Sequence, residues 1–162
     1  MARALYPGTF DPITMGHVDI VSRVAALFDK VIIGVYDTPS KELLFNLEER
    51  TAMTKTAVEH IPNVEVHPYH GLTVEFARRL GATVVIRGLR TGSDFEYEFE
   101  MAYMNKKLAP DIESLYMMSS LEYQFVSSSI LKEVLQLGAD ITDLVPPHVL
   151  KALREKLGPG RP

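Results

Sequence analysis

Short runs of β-branched residues alternate along the chain with longer segments of helical periodicity. This alternation is typical of β-α-β units and predicts a mostly parallel sheet. The runs with strand character are Ala4–Tyr6, Val31–Tyr36, Val64–His67, Thr83–Arg87 and Ser114–Met117. The segments of helical period between them are Val18–Phe28, Leu47–Ile61, Val74–Leu80 and Phe95–Leu108. The pattern therefore predicts an α/β fold with a doubly wound sheet of five strands.

After the fifth predicted strand, a polar loop leads into two C-terminal helices. The first covers Ser127–Leu137, and Pro146 opens the second, which runs through Leu157. Proline is tolerated in the first turn of a helix because its missing N–H has no partner there. The 162 residues fit one domain. We expect a single Rossmann-like domain over residues 1–157, followed by a flexible tail over residues 158–162.

Composition narrows the possible chemistry. The chain has no cysteine, which excludes thiolate nucleophiles, CxxC redox chemistry and thiolate zinc sites. Lys and Arg total 17 against 21 Asp and Glu, for a net charge of −4, so the footprint of a nucleic-acid partner is missing. No apolar run is long enough for a signal core or a bilayer span, so we expect a cytoplasmic protein without a membrane partner.

The segment after the first predicted strand runs directly into the first helix and contains Gly8, Thr9 and Gly16. Glycines let the backbone approach a ligand closely, and a helix N-terminus offers free N–H groups to phosphate. His17 follows at the helix mouth, where its imidazole N–H can reach a phosphoryl oxygen. Turn glycines beside a surface histidine are the alternative interpretation. The chain has neither a GxGxxG nor a GxxxxGK[ST] motif, so dinucleotide oxidoreductases and P-loop proteins lose their main sequence support.

Positive side chains also follow the second and fourth predicted strands. Lys41 lies in the loop after the second strand, and Arg87 and Arg90 flank Gly88 at the end of the fourth. Arginine binds phosphate oxygens in a bidentate manner. A tight turn with two exposed arginines is the alternative. In a chain of negative net charge, positive groups gathered at successive strand ends indicate a polyanionic small ligand.

A run of three serines, Ser127, Ser128 and Ser129, begins the helix after the fifth strand. Serine is a preferred N-cap, so one of the three needs no functional explanation. The others can offer hydroxyl and backbone N–H groups to phosphates at the helix start.

Four motifs together resemble the nucleotidylyltransferase superfamily: Gly8-Thr9-Phe10-Asp11-Pro12, Thr14-Met15-Gly16-His17, Arg87-Gly88-Leu89-Arg90 and Val126-Ser127-Ser128-Ser129. In their order, and over almost the whole chain, they are similar to the bacterial phosphopantetheine adenylyltransferases. The resemblance implies that ATP and 4′-phosphopantetheine give dephospho-coenzyme A and pyrophosphate in coenzyme A biosynthesis. It also implies Mg²⁺, held mainly through the ATP phosphates with no metal-binding protein residues, and a homohexamer.

The resemblance further implies roles for individual residues. His17 is expected to bind the ATP phosphates and stabilise the transition state, with Lys41 and Arg90 as further catalytic groups. The residues expected to bind ATP are Thr9, Phe10, His17, Gly88, Leu89, Arg90, Glu98, Tyr123, Gln124, Phe125, Val126, Ser127, Ser128 and Ser129. The residues expected to bind phosphopantetheine are Thr9, Lys41, Thr73 and Arg87.

The reaction itself limits what the enzyme has to supply. The acceptor is a phosphate monoester whose second pKa is near ~6, so it is largely dianionic at neutral pH and needs no general base. We expect catalysis by positioning and by electrostatic stabilisation at the α-phosphorus. His17 is expected to titrate in the same pH range as the acceptor.

The acidic and aromatic run 94–100 and the methionines after it receive a structural interpretation. Tyr97, Met101 and Met104 share one helical face and are expected to pack in the core, with subunit contact as the functional alternative. His67 and His70 have no carboxylate at a suitable spacing, so a metal site there is not expected.

Two other functions remain open at this point. One keeps the nucleotidyl transfer but changes the acceptor, to nicotinamide mononucleotide or glycerol phosphate, with adenylyl or cytidylyl transfer. The other is a nucleotide-binding module without catalysis, which would have no need of His17.

Overall fold

Every strand of the sheet runs parallel to its neighbours. The computed structural model describes residues 1–158 apart from the side chain of Ser93, so most of the predicted tail, residues 159–162, lies outside the described residues. The strands are β1 (Arg3–Gly8), β2 (Lys30–Tyr36), β3 (Val64–Tyr69), β4 (Val84–Leu89) and β5 (Glu113–Met118). Their order in the sheet is β3-β2-β1-β4-β5. The predicted doubly wound, five-stranded parallel sheet is confirmed.

Six helices connect the strands and follow them. They are α1 (Met15–Ala25), α2 (Leu47–Val58), α3 (Thr73–Arg79), α4 (Gly92–Leu108), α5 (Ser128–Gln136) and α6 (Pro147–Leu157), with a 3₁₀ turn at Leu121–Tyr123. The first helix starts three residues before the predicted Val18 because Thr14 caps it. This earlier start places His17 inside the first turn, at the third helical position.

Side-chain alternation along β1 explains the two hydrophobic layers of the core. Ala4 and Tyr6 point into the larger layer, in which residues of α1, α2, α5 and α6 pack. Leu5, between them, points into the smaller layer with residues of α3. Successive side chains of a strand face opposite sides, so a sheet covered on both faces needs apolar residues at consecutive positions. That requirement accounts for the unbroken apolar runs in the central strands.

The winding of the sheet reverses at β1. This strand pairs with β2 on one side and with β4 on the other. In open parallel sheets, ligands bind beyond the carboxyl ends of the strands at such a reversal, because the loops diverge there and leave a crevice. No helix in the described part, residues 1–158, combines the length and the apolar character that crossing a bilayer requires.

Candidate active site

A cleft of about 390 Å³ lies at the carboxyl ends of β1 and β4. This volume falls within the usual range for small-molecule sites. The cleft is bordered by the loop that follows β1, the end of β4, the N-terminus of α5 and part of α4. The predicted site residues that line it are Thr9, Phe10, His17, Lys41, Arg87, Gly88, Arg90, Glu98, Tyr123, Val126, Ser127, Ser128 and Ser129.

The remaining predicted site residues do not line this cleft: Thr73, Leu89, Gln124 and Phe125. Thr73 begins α3 beside the end of β3, where its hydroxyl is 3.0 Å from that of Tyr69. Phe125 is 65% exposed at the edge of the site. Gln124 donates its side-chain amide to the carbonyl of Arg90 over 3.4 Å.

His17 is fixed by a reciprocal arrangement with the residue that caps its helix. The backbone N–H of Thr14 donates to Nδ1 of His17 over 3.0 Å, and the His17 N–H donates to the Thr14 hydroxyl over 3.4 Å. The ring of Phe10 meets the imidazole edge-on, with the ring centroids 5.0 Å apart. Since a backbone N–H can only donate, Nδ1 must accept, and a neutral imidazole then carries its proton on Nε2. The free donor of His17 is therefore Nε2–H.

The pKa of His17 is lowered to about 4, mainly by burial and then by the positive charges of Arg90, Arg87 and Lys41. Removing the charged form from water disfavours it, and nearby cations oppose a second positive charge. The expectation that His17 titrates near the acceptor phosphate is therefore wrong. Near neutral pH the residue is an uncharged hydrogen-bond donor aimed by its cap.

Phe10 and Val126 contribute to the cleft differently from the other predicted ATP-binding residues. Phe10 is 3% exposed and Val126 is 5% exposed, so both side chains belong to the core. Phe10 has a φ of 52°, in the left-handed region. This backbone turn lets its ring pack inward while the chain continues towards Asp11. These two residues can therefore offer a ligand their backbone N–H and carbonyl groups rather than their side chains.

Arg87 is held by α4. Its guanidinium donates to both carboxylate oxygens of Glu98, at 2.7 Å for the shortest contact, and to the carbonyl of Pro7 at 3.1 Å. Burial is the largest single influence on the pKa of Arg87 and lowers it, but the hydrogen bonds and negative charge of Glu98, with smaller contributions from Tyr6 and Tyr69, together raise this pKa. Glu98 is implied by resemblance to bind ATP, and here its carboxylate is bound to an arginine implied to bind the acceptor.

Arg90 is also held by α4, through Asp94, which lies one helical turn before Glu98. Its Nε donates to Asp94 over 3.2 Å and its terminal nitrogen donates to the carbonyl of Val126 over 3.0 Å. Asp94 and Glu98 are four residues apart and so lie on one face of α4. This helix therefore fixes the positions of both arginines.

The three serines divide the tasks expected of them. Ser127 is the N-cap of α5 and accepts the N–H of Ile130 over 3.1 Å. Ser128 donates its hydroxyl to the carbonyl of Pro12 over 2.8 Å, which ties α5 to the loop after β1. Ser129 also borders the cleft. The N–H groups in the first turn of α5, which have no partner within the helix, border the same space.

The sequence interpretation missed four charged residues that line the cleft: Asp11, Glu42, Asp94 and Lys132. Asp11 accepts a hydrogen bond from Lys132 over 2.9 Å, across 121 residues of sequence. Lys132 lies one helical turn after Ser128, which was a usable signal that it faces the same site. A second usable signal was that Asp94 and Glu98, four residues apart on one helix face, follow the two arginines closely in the sequence.

Three of the four carboxylates that line the cleft are paired with cations. Asp11, Asp94 and Glu98 pair with Lys132, Arg90 and Arg87, respectively. Within residues 1–158, no group of three or more His, Asp or Glu side chains is arranged to hold a metal ion.

The interpretation of α4 as a core helix is wrong for its apolar residues. Tyr97 is 60% exposed, Met104 is 56% exposed and Met101 is 37% exposed. On the other side of the helix, the ring of Phe99 contacts that of Phe95 in a tilted arrangement and that of Tyr103 edge-to-face, and all three rings are also exposed. The cause is that α4 places its polar pair, Asp94 and Glu98, against the protein, so its apolar side chains remain outside.

Comparisons with known proteins show the family of this chain. Residues 5–134 match the family model described as cytidylyltransferase-like. The chain is 53% identical over 157 residues to the phosphopantetheine adenylyltransferase of Thermomicrobium roseum, covering 95% of this chain and 94% of the relative. It is 54% identical to that of Staphylococcus carnosus, covering 97% and 98%.

A solved structure shares the fold at much lower sequence similarity. It is from Vibrio parahaemolyticus and is provisionally described as a nicotinate-nucleotide adenylyltransferase. It superposes with a TM-score of 0.74 at 18% identity, over 97% of this chain and 95% of the other. On the strength of the near full-length matches, this chain belongs to the phosphopantetheine adenylyltransferase family.

Proposed function

We propose that this protein transfers the adenylyl group of ATP to 4′-phosphopantetheine and releases pyrophosphate and dephospho-coenzyme A. The observation that carries the proposal is the convergence of His17, Lys41, Arg87, Arg90 and the N-terminus of α5 on one cleft. Two polyanions have to be brought together in this reaction, and the cleft supplies one set of positive or N–H groups for each.

The cleft has two sides, and we assign each side to one of the two substrates. Arg90 and the first turn of α5 lie together, since Arg90 donates to Val126 just before the three serines. This side binds the ATP phosphates. Lys41 and Arg87 bind the phosphate of phosphopantetheine, and Thr9 lies between the two sides because β1 is the central strand. Thr73, outside the cleft, lies in the direction of the pantetheine arm.

The chemical step needs alignment more than proton transfer. An oxygen of the acceptor phosphate attacks the α-phosphorus of ATP and forms the new P–O bond. The bond from that phosphorus to the bridging oxygen breaks, and pyrophosphate leaves with the electron pair. The Nε2–H of His17 donates to an α-phosphate oxygen as charge builds there, and its uncharged state leaves the donor intact throughout the neutral range. Lys41 and Arg90 neutralise the approaching and departing phosphates.

Magnesium enters this scheme as part of the nucleotide substrate. Mg²⁺ prefers oxygen ligands and keeps several waters, so triphosphate oxygens and water can coordinate it without a protein ligand. The pairing of three of the four cleft carboxylates with cations supports this assignment. Activity should require Mg²⁺ in proportion to ATP, and no metal should remain bound to dialysed protein in the absence of nucleotide.

The exposed apolar face of α4 supports self-association, and we propose the homohexamer of the resemblance as the working assembly. On this face, Phe95 is 54% exposed, Phe99 is 49% exposed and Tyr103 is 67% exposed in the isolated chain. Exposed apolar surface of this extent is unusual in monomers and marks a contact surface. Sedimentation of the wild type and of Tyr103→Glu tests it: a hexamer for the first and smaller species for the second are expected. A monomeric wild type would refute the assembly.

One experiment tests the reaction directly. The protein is incubated with ATP, Mg²⁺ and 4′-phosphopantetheine, and dephospho-coenzyme A is sought by mass. Nicotinamide mononucleotide and glycerol phosphate serve as competing acceptors, and CTP as a competing donor. If turnover occurred only with one of these competing compounds, the proposed acceptor or donor would be wrong. Binding of ATP without turnover on any acceptor would favour a nucleotide-binding module. We place the reaction in the cytoplasm, which cell fractionation can check.

A further inference from the structure

The segment that carries Lys41 is pinned at both ends by a buried arginine. This Lys41 segment, residues 37–46, connects β2 to α2. Arg50 is 1% exposed and donates to the carbonyls of Tyr36 and Asp37 at the start of the segment and of Phe45 at its end. The segment is thus closed into a loop whose two ends meet at one guanidinium.

A buried carboxylate holds the same end of the segment from the other side. Asp11 is 3% exposed, and its two oxygens accept the backbone N–H groups of Leu44 and Phe45, each over 2.9 Å. These N–H groups come directly before the N-cap of α2, so no helical carbonyl is available to them. Asp11 is therefore what fixes the end of the loop three residues beyond Lys41.

Asp11 also contacts the opposite side of the cleft. Lys132 of α5 donates to the oxygen that accepts from Leu44, over 2.9 Å. Lys132 is 22% exposed and has its described ion pair with Asp11. Burial on its own raises the pKa of Asp11, but Lys132 and the two backbone N–H groups reverse this and hold the pKa below its usual value. The carboxylate is charged, so it can keep both backbone bonds.

Asp11 lies two residues after Thr9, the residue placed between the two substrates. Arg50 adds to this link, since it donates to the carbonyl of Thr9 over 2.8 Å as well as to the Lys41 segment. Lys41 itself is exposed and lines the cleft. Nothing in its immediate neighbourhood fixes it as firmly as the bonds at the ends of its segment. Its position relative to Thr9 therefore depends on Asp11 and Arg50.

We propose that Asp11 is a positioning residue for the acceptor substrate: it holds the Lys41 segment in register with Thr9, and through Lys132 it joins that segment to the ATP side of the cleft. This inference rests on the proposed function for its catalytic consequence. The ordering of residues 37–46 by Asp11 does not depend on which reaction the protein catalyses.

The test compares Asp11→Asn with Lys41→Ala and with the double variant. An asparagine can accept one of the two N–H groups, while its own NH₂ faces the other or Lys132. We expect the KM for 4′-phosphopantetheine to rise at least tenfold in Asp11→Asn and the KM for ATP to change less than threefold. In the Lys41→Ala background, Asp11→Asn should add less than a threefold effect, because Asp11 acts through Lys41.

Leu153→Ala is the matched control for general loss of stability. Leu153 is fully buried in α6 and contacts neither side of the cleft. At a temperature well below unfolding, this variant should leave both KM values unchanged. Equal effects of Asp11→Asn on both substrates, or an undiminished effect in the Lys41→Ala background, would overturn the proposal.

Hydrogen exchange measured without substrates separates this inference from the proposed reaction. Asp11→Asn should speed exchange across residues 37–46 while β1 and β2 keep their protection. If exchange responds and the wild type shows no turnover, the reaction is wrong and the positioning role stands. Unchanged exchange in residues 37–46 would refute the positioning role whatever the activity.

If Asp11→Asn does not fold, Lys132→Met provides the test, because it leaves both backbone bonds in place. The charges that face Asp11 are Lys132 from α5, and Arg50 and Glu49 from α2. Without Lys132, Asp11 loses its tie to α5, so exchange across residues 37–46 at pH 8 should exceed that of the wild type at least threefold. Wild-type exchange in this variant would count against the proposal.

Discussion

The backbone N–H of Thr14 donates to Nδ1 of His17 over 3.0 Å, so the residue that caps α1 also selects the tautomer of the imidazole beside the cleft. The helix start and the orientation of the donor proposed for catalysis are therefore one arrangement. Changes at the two residues should differ in their effects, since the Thr14 side chain caps the helix and the His17 side chain lines the cleft.

His17→Ala should lower kcat by about 10²–10³, the usual loss for one preorganised donor, with a much smaller effect on ATP binding. Thr14→Ala is the matched variant, because it removes the capping hydroxyl, which also lies 3.1 Å from Nδ1 of His17, and keeps the N–H that orients the ring. It should cost about 1 kcal/mol of stability and little kcat. Steady-state kinetics and thermal melts measure both. A near-normal kcat for His17→Ala would remove the residue from the mechanism.

The acid limb of kcat/KM for the acceptor should fall near ~6, at the second ionisation of its phosphate. The pKa of His17 is about 4, so the histidine stays neutral across this limb and the wild-type profile already reports the substrate. The residual activity of His17→Ala should keep the limb at a similar pH. A limb that disappears in this variant would instead make His17 a general base.

Folding stability should fall as the pH decreases from about 6.5 to about 4. In this window the unfolded chain protonates His17, whose ordinary pKa is 6.5, while the folded chain resists because its pKa is about 4. The unfolded state then binds more protons, so acid favours it. Denaturant melts at pH 7.5 and 5 should show a smaller pH effect in His17→Asn, which has no titrating ring. An equal pH effect in both proteins would contradict the low pKa.

Glu98→Gln should impair the use of phosphopantetheine more than the use of ATP. The carboxylate holds Arg87 in a bidentate pair, and an amide can neither balance the charge nor accept both bonds. Arg87→Ala should change the same parameter, whereas Arg90→Ala should raise the KM for ATP. If Glu98→Gln raised only the KM for ATP, Glu98 would act on the nucleotide, as the resemblance implies.

Gly88→Ala should destabilise the protein by about 1–3 kcal/mol, the usual cost of overpacking. An added Cβ at this position would lie 2.6 Å from Cδ1 of Ile20 in α1. Ile20→Val removes that atom, so the double variant should be more stable than the sum of the single effects predicts. Gly92→Ala, at a position with open space, should be neutral or stabilising. Strict additivity would rule out the contact with Ile20.

The order and type of the elements follow from local pattern, and their details do not. The apolar runs that became β1 to β5 are needed because the sheet is covered on both faces. The start of α1 was misplaced because a histidine at the third helical position is an unusual partner for a capping threonine, in place of the common Glu or Gln. Local pattern also cannot show which neighbour covers an apolar stripe, which is why the exposure of Met101 and Met104 was missed.

Within the site, the residues at strand ends were predictable because topology alone brings strand ends together. Arg87, Arg90 and His17 belong to this class. The residues that hold these side chains in place could not be predicted in the same way. The pairing of Asp11 with Lys132 depends on how α5 packs against the loop after β1, which no short-range spacing encodes. The sequence therefore indicated the groups that line the cleft better than the groups that orient them.

The bond between Asp11 and Lys132 spans 121 residues, and the bond between Arg87 and Pro7 spans 80. Contacts so distant in sequence form only after the intervening chain has closed, which makes them late and entropically costly during folding. A partly folded chain could contain most of its helices and still have no cleft. Catalytic activity should thus reappear during refolding no sooner than the last long-range contact, and would report completed folding more strictly than helix content does.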